Sequence, residues 1–561
     1  MRRILPLLIL AGSLGTAGAG SRSGADAVAP RPNVVLILAD DLGYSDLGAY
    51  GGEIRKPNLD RLAQNGLRFT QFYNAARCCP TRAALLTGQL PHRVGLARNG
   101  QSLTRNGLTL AEGLQAAGYQ TGMVGKWHLS ETWQLPDPAL HQKWVDHRHD
   151  PHRPFGPLES YPTRRGFERF YGIIWGVVNH FDPFSLVEGE TPVATVPRDY
   201  YLTDAITRKG VEAIRAFGRH DRPFFLYVAY TAPHWPLHAR PEEVRRYRSR
   251  YQAGWEALRR ERYARQVRFG LFDPDRAPLP PLTAEGPAWE ALPAAEREWE
   301  AARMAVHAAM VDRMDQGIGR LVAELDGAGE LENTLLLFLS DNGASPELPA
   351  RPGYDRTAQT RDGRPMRYRD PAEPGSEASY VGIGPGWASA LNTPFRYWKR
   401  ESFEGGACTP LIAHWPAGLK TAAGSLTDEV GHVTDFLPTL LEVAGAAYPT
   451  QYRGQRLTPP DGASLLPILR GERRPPPREL FFEHDGGRAL RQGDWKLVAE
   501  RDSDTWKLFH LGRDRTETKD RAGDHPRRVR EMAARWETVA RELGVPLPPG
   551  RRRAAPGRTA Q

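Results

Sequence analysis

The chain holds 561 residues, 40% of them hydrophobic, which is enough to bury one large domain and a smaller one. Only three are cysteines, so a disulfide framework is excluded and the core must be held by burial. The net charge is +9, yet arginine is spread along the whole chain with no basic arm interleaved with aromatics, which points away from nucleic acid and toward an anionic substrate.

Arg2 and Arg3 precede the apolar run Ile4 to Ala11 (ILPLLILA), and small residues follow at Ala17, Gly18 and Ala19, so residues 1–20 have the layout of a cleavable secretory signal. The expected product is exported, periplasmic or secreted. It should carry no stable membrane anchor, because no later run approaches the roughly 20 apolar residues of a spanning helix and no cysteine follows the signal to take a lipid. Asn33 to Ala39 (NVVLILA) is a continuous β-branched and aliphatic run, the pattern of a strand buried on both faces of a parallel sheet, and it stops at Asp40-Asp41. A helical pattern follows over Asn58 to Leu67.

Cys78 to Gly88 reads CCPTRAALLTG. Pro80 suits the first turn of a helix, Thr81 to Thr87 is helix-prone and Gly88 ends it, which places Cys78 and Cys79 at a helix N-terminus. A second helix is expected over Thr109 to Ala117. Tyr119 to Gly125 (YQTGMVG) then leads as a strand into Lys126-Trp127-His128, where an extended backbone would put Lys126 and His128 on one face and Trp127 on the other. Pro223 to Tyr230 (PFFLYVAY) leads into Thr231-Ala232-Pro233-His234, a helix is expected over Met304 to Leu325, and Thr334 to Ser340 (TLLLFLS) stops at Asp341-Asn342-Gly343.

The helix Val433 to Ala444 closes this pattern. Beyond Tyr452, Glu479 to Glu483, Ala489 to Arg491, Trp495 to Ala499 and Trp506 to His510 read as short strands joined by Gly and Asp turns, with Arg527 to Leu543 as an amphipathic covering helix. The expected organisation is an α/β domain over 31–452, an antiparallel subdomain over 453–547, and a disordered Pro-, Gly- and Arg-rich tail over 548–561.

Apolar strands alternating with helices imply a largely parallel sheet, and such sheets bind ligands outside the carboxyl ends of their strands. The four polar clusters would then share one rim. Asp40, Asp41, Asp341 and Asn342 form an all-oxygen set suited to a hard divalent cation; Ca²⁺ tolerates the irregular geometry of such a set better than Mg²⁺, which demands a near-ideal octahedron. At the helix N-terminus the free N–H groups favour an anion, and Arg82, one turn in, offers a fork of donors matched to a tetrahedral oxyanion. Sulfate or phosphate esters fit that description.

Cys78-Cys79-Pro80-Thr81-Arg82 followed by AALLTG resembles the C-x-P-x-R signature of the type I sulfatases, in which the first cysteine is oxidised after synthesis to Cα-formylglycine. The resemblance extends from PNVVLILADDLGYSDLG (Pro32 to Gly48) through GKWHL (Gly125 to Leu129), TAPHWPLH (Thr231 to His238), FLSDNGAS (Phe338 to Ser345), NTPFRYWKRESFEGG (Asn392 to Gly406) and TDFLPTLLEVAG (Thr434 to Gly445) to RQGDWKLV (Arg491 to Val498). Segments 130–165 and 242–300 do not follow the family pattern closely. The resemblance implies an alkaline-phosphatase-like fold, a large mixed and mostly parallel sheet sandwiched by helices, with a smaller C-terminal antiparallel sheet plus helix. It implies that a maturation enzyme converts Cys78 to formylglycine, that this residue joins Asp40, Asp41, Asp341 and Asn342 at the metal, and that Arg82, Lys126, His128, His234 and Lys399 complete the catalytic set.

On that reading a hydroxyl of the hydrated aldehyde attacks sulfur, His234 with Lys399 protonates the leaving oxygen, Lys126 and Arg82 stabilise the sulfate oxygens, and His128 deprotonates the second hydroxyl to release sulfate. The substrate would be an aryl or carbohydrate sulfate. A phosphodiesterase or phosphonate monoester hydrolase of the same superfamily and a non-catalytic protein that binds sulfated glycans are the competing readings. Cys79 and Cys408 read as structural, with a pairing between them left open, and the Trp-rich stretches 133–144 and 170–175 suit either sugar stacking or packing.

Overall fold

The computed structural model describes residues 31–547 apart from 104–106, 284–286, 351–355, 369–373, 475–478 and 502. The expected signal over 1–20 and the tail over 548–561 lie outside these residues. Eleven strands form the main sheet: β1 (Asn33–Ala39), β2 (Leu67–Tyr73), β3 (Gln120–Lys126), β4 (Arg169–Ile173), β5 (Leu186–Glu188), β6 (Thr191–Pro192), β7 (Phe224–Ala229), β8 (Thr334–Ser340), β9 (Cys408–His414), β10 (Ser425–Thr427) and β11 (Gly431–His432). Their order is β10-β2-β9-β8-β1-β7-β3-β4-β5-β6, with β11 also paired to β2.

The run NVVLILA is buried at every position because β1 lies between β8 and β7, parallel to both. A strand in the middle of a sheet covered by helices has no solvent face, hence the absence of polar alternation. Since β8, β1, β7, β3 and β4 are all parallel, their carboxyl ends fall on one side, with Ala39 opposite Ser340 and Gly125 opposite Ala229. β9 runs antiparallel to β8 and β2 antiparallel to β9, so two reversals bring β2 back to the common direction. Its end at Tyr73 therefore delivers the chain to the same rim, four residues before the helix Cys78–Thr87.

Two groups of helices cover the sheet: Pro57–Gln64, Leu202–Phe217 and Ala294–Gly327 pack together, as do Cys78–Thr87, Leu110–Ala116 and Phe436–Val443. The helix expected over 58–67 stops at Gln64 because Leu67 opens β2, and the one expected over 304–325 runs from Ala294 to Gly327. Half of the positions before Met304 in this helix are charged, so periodicity alone underestimates it. Among the described residues no helix is long and apolar enough to cross a membrane.

After the short ribbon β12 (Gln451–Tyr452) and β13 (Gln455–Arg456), a four-stranded antiparallel meander follows: β14 (Glu479–His484), β15 (Gly487–Gln492), β16 (Trp495–Ala499) and β17 (Lys507–His510). The helix Pro526–Glu542 lays Met532, Ala533, Trp536, Val539 and Ala540 on Leu490, Leu497 and Leu508 of that sheet. The meander is joined to the main sheet by charge as well as apolar contact. Glu404, fully buried, accepts from Lys496 Nζ at 2.7 Å, from Tyr73 Oη at 2.7 Å and from Arg515, and Arg491 donates to Tyr73. Burial alone would raise the Glu404 carboxyl, but Arg515 and Lys496 pull it down to about 2.

A depressed folded-state value contributes stability above the ordinary carboxylate range, and that contribution is lost as the pH falls toward 2. Glu404→Gln should therefore lower stability at neutral pH by about 3–5 kcal/mol, the usual consequence of breaking a buried ion pair. Thermal melts of the two proteins should converge between about pH 4 and pH 2.

Candidate active site

β1 ends at Asp40-Asp41 and β8 at Asp341-Asn342, on adjacent strands in register, so four polar side chains meet where the sheet ends. Asp41 has φ +66, a left-handed turn that sends the chain over the rim, where its N–H donates to Asp341 Oδ1 at 3.2 Å. The next N–H, of Leu42, donates to Ser340 Oγ at 3.0 Å. Gly343 follows on the β8 side; a Cβ there would stand 1.8 Å from Gly405 O, so only glycine fits. The loop after Asp41 is held from below by Arg262, which reaches Asp46 and Glu53, both at 2.8 Å, while His307 meets Asp46 at 3.0 Å. Part of the arginine-rich segment 242–300 thus has a structural task, that of supporting this loop.

Cations surround the carboxylates. Lys126, the last residue of β3, donates to Asp40 Oδ2 at 2.6 Å. Arg82 donates to Asp341 Oδ2 through Nε at 3.1 Å and Nη2 at 2.7 Å, and through Nη1 to Lys126 O at 3.0 Å. With its donors turned to the protein and its side chain fully buried, Arg82 does not offer the oxyanion fork expected from its position in the helix. It instead neutralises Asp341 and anchors the end of β3. Lys399 Nζ lies 2.9 Å from each oxygen of Asp41 and 3.1 Å from His234 Nε2. Its place in a Lys-Arg pair suggests a solvated face, yet it is 1% exposed.

His234 Nδ1 lies 2.5 Å from Trp235 O, so that nitrogen is the N–H donor and Nε2 is the acceptor of a Lys399 proton. Burial, together with Lys399 and Lys126, holds the ring well below the usual histidine range, while Asp41 and Glu347 overcome the burial of Lys399 and keep it charged. The proton shared by the pair therefore resides on Lys399.

His128 departs from the extended geometry expected of it: β3 ends at Lys126, and His128 has φ +57, which breaks the alternation. Its ring packs near Trp175, and a Cβ on Gly176 would stand 2.3 Å from its Nε2. Burial first, then the fields of Lys126 and Arg82, keep it neutral, and its buried Nδ1 has no hydrogen-bond partner. Cys78 opens its helix and is 1% exposed. All three cysteines are free, so Cys79 and Cys408 do not pair: the former lies against Arg98 O at 3.5 Å, the latter beside Thr70 and Arg515. Of the tryptophan stretches, Trp144 is buried in packing, while Trp133 is 37% exposed.

The residues present fit a hard cation. Asp40 Oδ1 and Asn342 Oδ1 are both buried with no hydrogen-bond partner, which leaves two oxygens of the set unsatisfied. Burial, and the neighbouring Asp341 and Asp41, push the Asp40 carboxyl up to about 7 despite Lys126 and Arg82. Ligand atoms of Asp40, Asp41 and His234 also lie within 4.8 Å of one another, but both ring nitrogens of His234 are engaged, so the oxygens are the better donors. Two charged residues at this rim carry no signal in the sequence reading. Arg77 precedes Cys78, and Glu347 lies five positions after Asn342; the two pair at 2.9 Å.

The family model described as Sulfatase matches residues 32–446. An uncharacterized sulfatase of Schizosaccharomyces pombe is 31% identical over 92% of this chain and 95% of its own length. An arylsulfatase of Klebsiella aerogenes is 33% identical over 78% of this chain and 92% of its own. The fold is also that of a protein solved in complex with its substrate D-glucosamine-2-N,6-O-disulfate, with a TM-score of 0.59 at 21% identity over 92% of this chain and 98% of that one.

A divalent cation that fills the oxygen set should raise the melting temperature by several degrees at saturation, since about 100-fold excess over Kd contributes about 2.7 kcal/mol. Thermal shift after chelation and back-titration with Ca²⁺ or Mg²⁺ measures it, and Asp341→Ala should remove the response.

Proposed function

Because the chain belongs to the sulfatase family and is a sulfuric ester hydrolase of the arylsulfatase type, we propose that it cleaves aryl or carbohydrate sulfates with Cys78 matured to formylglycine and Ca²⁺ held by Asp40, Asp41, Asp341 and Asn342. The observation that carries this reading is the meeting of the Cys78 helix N-terminus with four cations and two orphaned oxygens at the end of one sheet. Bound there, the cation would neutralise the carboxylates and polarise a sulfate oxygen, and the hydrated aldehyde would supply two geminal hydroxyls, one to attack sulfur and one to be deprotonated.

The chain's own residues do the rest. Lys126 and the helix N-terminus attract the sulfate anion to Cys78. Arg82 keeps Asp341 and the end of β3 in place through its bonds to Asp341 and Lys126 O. Lys399, with His234 against it, holds the proton for the leaving oxygen at Nζ. His128, neutral with an unpartnered nitrogen, is the base that takes a proton. Burial of these groups removes water from the reacting centre and strengthens each interaction. Residues 1–20 support export to the periplasm or medium, and maturation of Cys78 requires a formylglycine-generating enzyme as a transient partner.

The test pairs the mass of the tryptic peptide containing Cys78, from protein made with a maturation enzyme, with turnover of 4-nitrophenyl sulfate. A loss of about 18 Da at Cys78 and abolition of sulfate release by Cys78→Ala are expected. An unmodified thiol without turnover overturns the reading, and faster cleavage of phosphate or phosphonate esters than of sulfates moves the protein to the related hydrolases. Gly176→Ala should lower turnover by about 10²-fold, because the new methyl displaces His128. Its fold, followed by circular dichroism, should be unchanged.

A further inference from the structure

Glu347 stands at the edge of this site and takes no part in the steps above. Its Oε1 accepts from Arg77 Nη1 at 2.9 Å; its Oε2 accepts from Trp235 Nε1 at 2.7 Å and Ser345 Oγ at 3.1 Å and lies 3.5 Å from Lys399 Nζ. Four groups from four segments, the residue that caps the helix Cys78–Thr87, the loop after β7, the loop after β8 and the loop before β9, thus converge on one carboxylate that is 22% exposed.

The consequence lies with the proton-holding pair. Lys399 carries three N–H donors on a flexible stem, and with Asp41 at 2.9 Å and Glu347 at 3.5 Å the remaining direction is toward His234 Nε2 at 3.1 Å. Glu347 also fixes Trp235, whose carbonyl takes the His234 Nδ1–H at 2.5 Å. One side of Lys399 is therefore tied to the oxygen set through Asp41 and the other to Glu347, and His234 is tied to Glu347 through Trp235. Lys399 and His234 have no second carboxylate contact besides Asp41 and Glu347 among the described residues. Asp41 points into the oxygen set, so the carboxylate that can orient the pair independently of a cation is Glu347.

We propose that Glu347 is a positioning residue for protonation of the leaving oxygen, holding Lys399 and His234 in line through Trp235, a role that rests on the sulfate ester hydrolysis proposed above. The need for that proton grows with the pKa of the departing alcohol: a nitrophenolate leaves with little help, an unactivated phenolate leaves with much. Displacing the pair therefore acts selectively on poor leaving groups, which a general loosening of the site would not.

The experiment measures kcat/KM and KM for 4-nitrophenyl sulfate, 4-chlorophenyl sulfate and phenyl sulfate with matured full-length wild-type protein, Glu347→Gln and Trp235→Phe. Glu347→Gln should lower kcat/KM about tenfold or more on phenyl sulfate and no more than about twofold on 4-nitrophenyl sulfate, steepening the dependence on leaving-group pKa while KM changes little. Trp235→Phe, which removes the N–H to Glu347 and keeps an aromatic ring of smaller size beside His234, should steepen it in the same sense by a smaller factor, and it decides the question if Glu347→Gln does not fold. Equal losses on all three esters, or none, overturn the positioning role while leaving the sulfatase reading intact. Absence of turnover by the wild-type protein overturns that reading and the proposal with it.

Discussion

Three carboxylates buried within reach of one another at the ends of two adjacent strands are the constraint to which the rest of the rim answers. Ionised carboxylates in a poorly hydrated pocket repel each other and lose their hydration, and such a cluster survives only if positive charge is brought to it. Lys126, Arg82 and Lys399 each pair with a different aspartate, Asp40, Asp341 and Asp41 respectively. Even so, Asp40 keeps a carboxyl raised to about 7 and an oxygen without a hydrogen bond. The protein's own cations thus match the three carboxylates in number without satisfying every oxygen, and the set retains the donors a hard cation would use.

The same requirement explains why distant parts of the chain are recruited. Lys399 meets Asp41 across 358 residues of sequence and Arg82 meets Asp341 across 259. Each contact needs a rigid carrier: β3 for Lys126, the helix Cys78–Thr87 for Arg82, and the turn that precedes β9 for Lys399. That turn is in its place because Glu404, five residues further on, is locked into the C-terminal meander by Lys496 and Arg515. The small sheet thereby supports the large one at the segment that carries the proton source.

Much of this was legible before any coordinate. β1, β3, β7 and β8 are visible as apolar runs because central parallel strands have no polar face, and the polar residues that end each run are visible as breaks. The helix at Cys78 shows itself through Pro80 and Gly88, which mark a helix start and stop. Less legible were β2 and β9: LRFTQFY is nearly half polar because it lies near the edge of the sheet, and CTPLIAH carries a proline at its third position, which argues against a strand within a sheet. His128 departs from the extended pattern for a local reason, a left-handed backbone two residues past the end of β3, which no periodicity predicts.

By itself, the amino-acid order determined the sheet, its rim and the identity of the polar residues on it, because burial periodicity and turn chemistry are properties of short segments. Tertiary structure alone decided their assignments: that Arg82 bonds to Asp341 and to the end of β3, that Lys399 stands between Asp41 and His234, that Arg262 carries the loop after Asp41, and that Glu347 belongs to the site at all. Those facts depend on which side chains from remote segments come within about 3 Å of one another, the range over which a hydrogen bond or a buried ion pair has its strength. No local pattern encodes a distance of that kind.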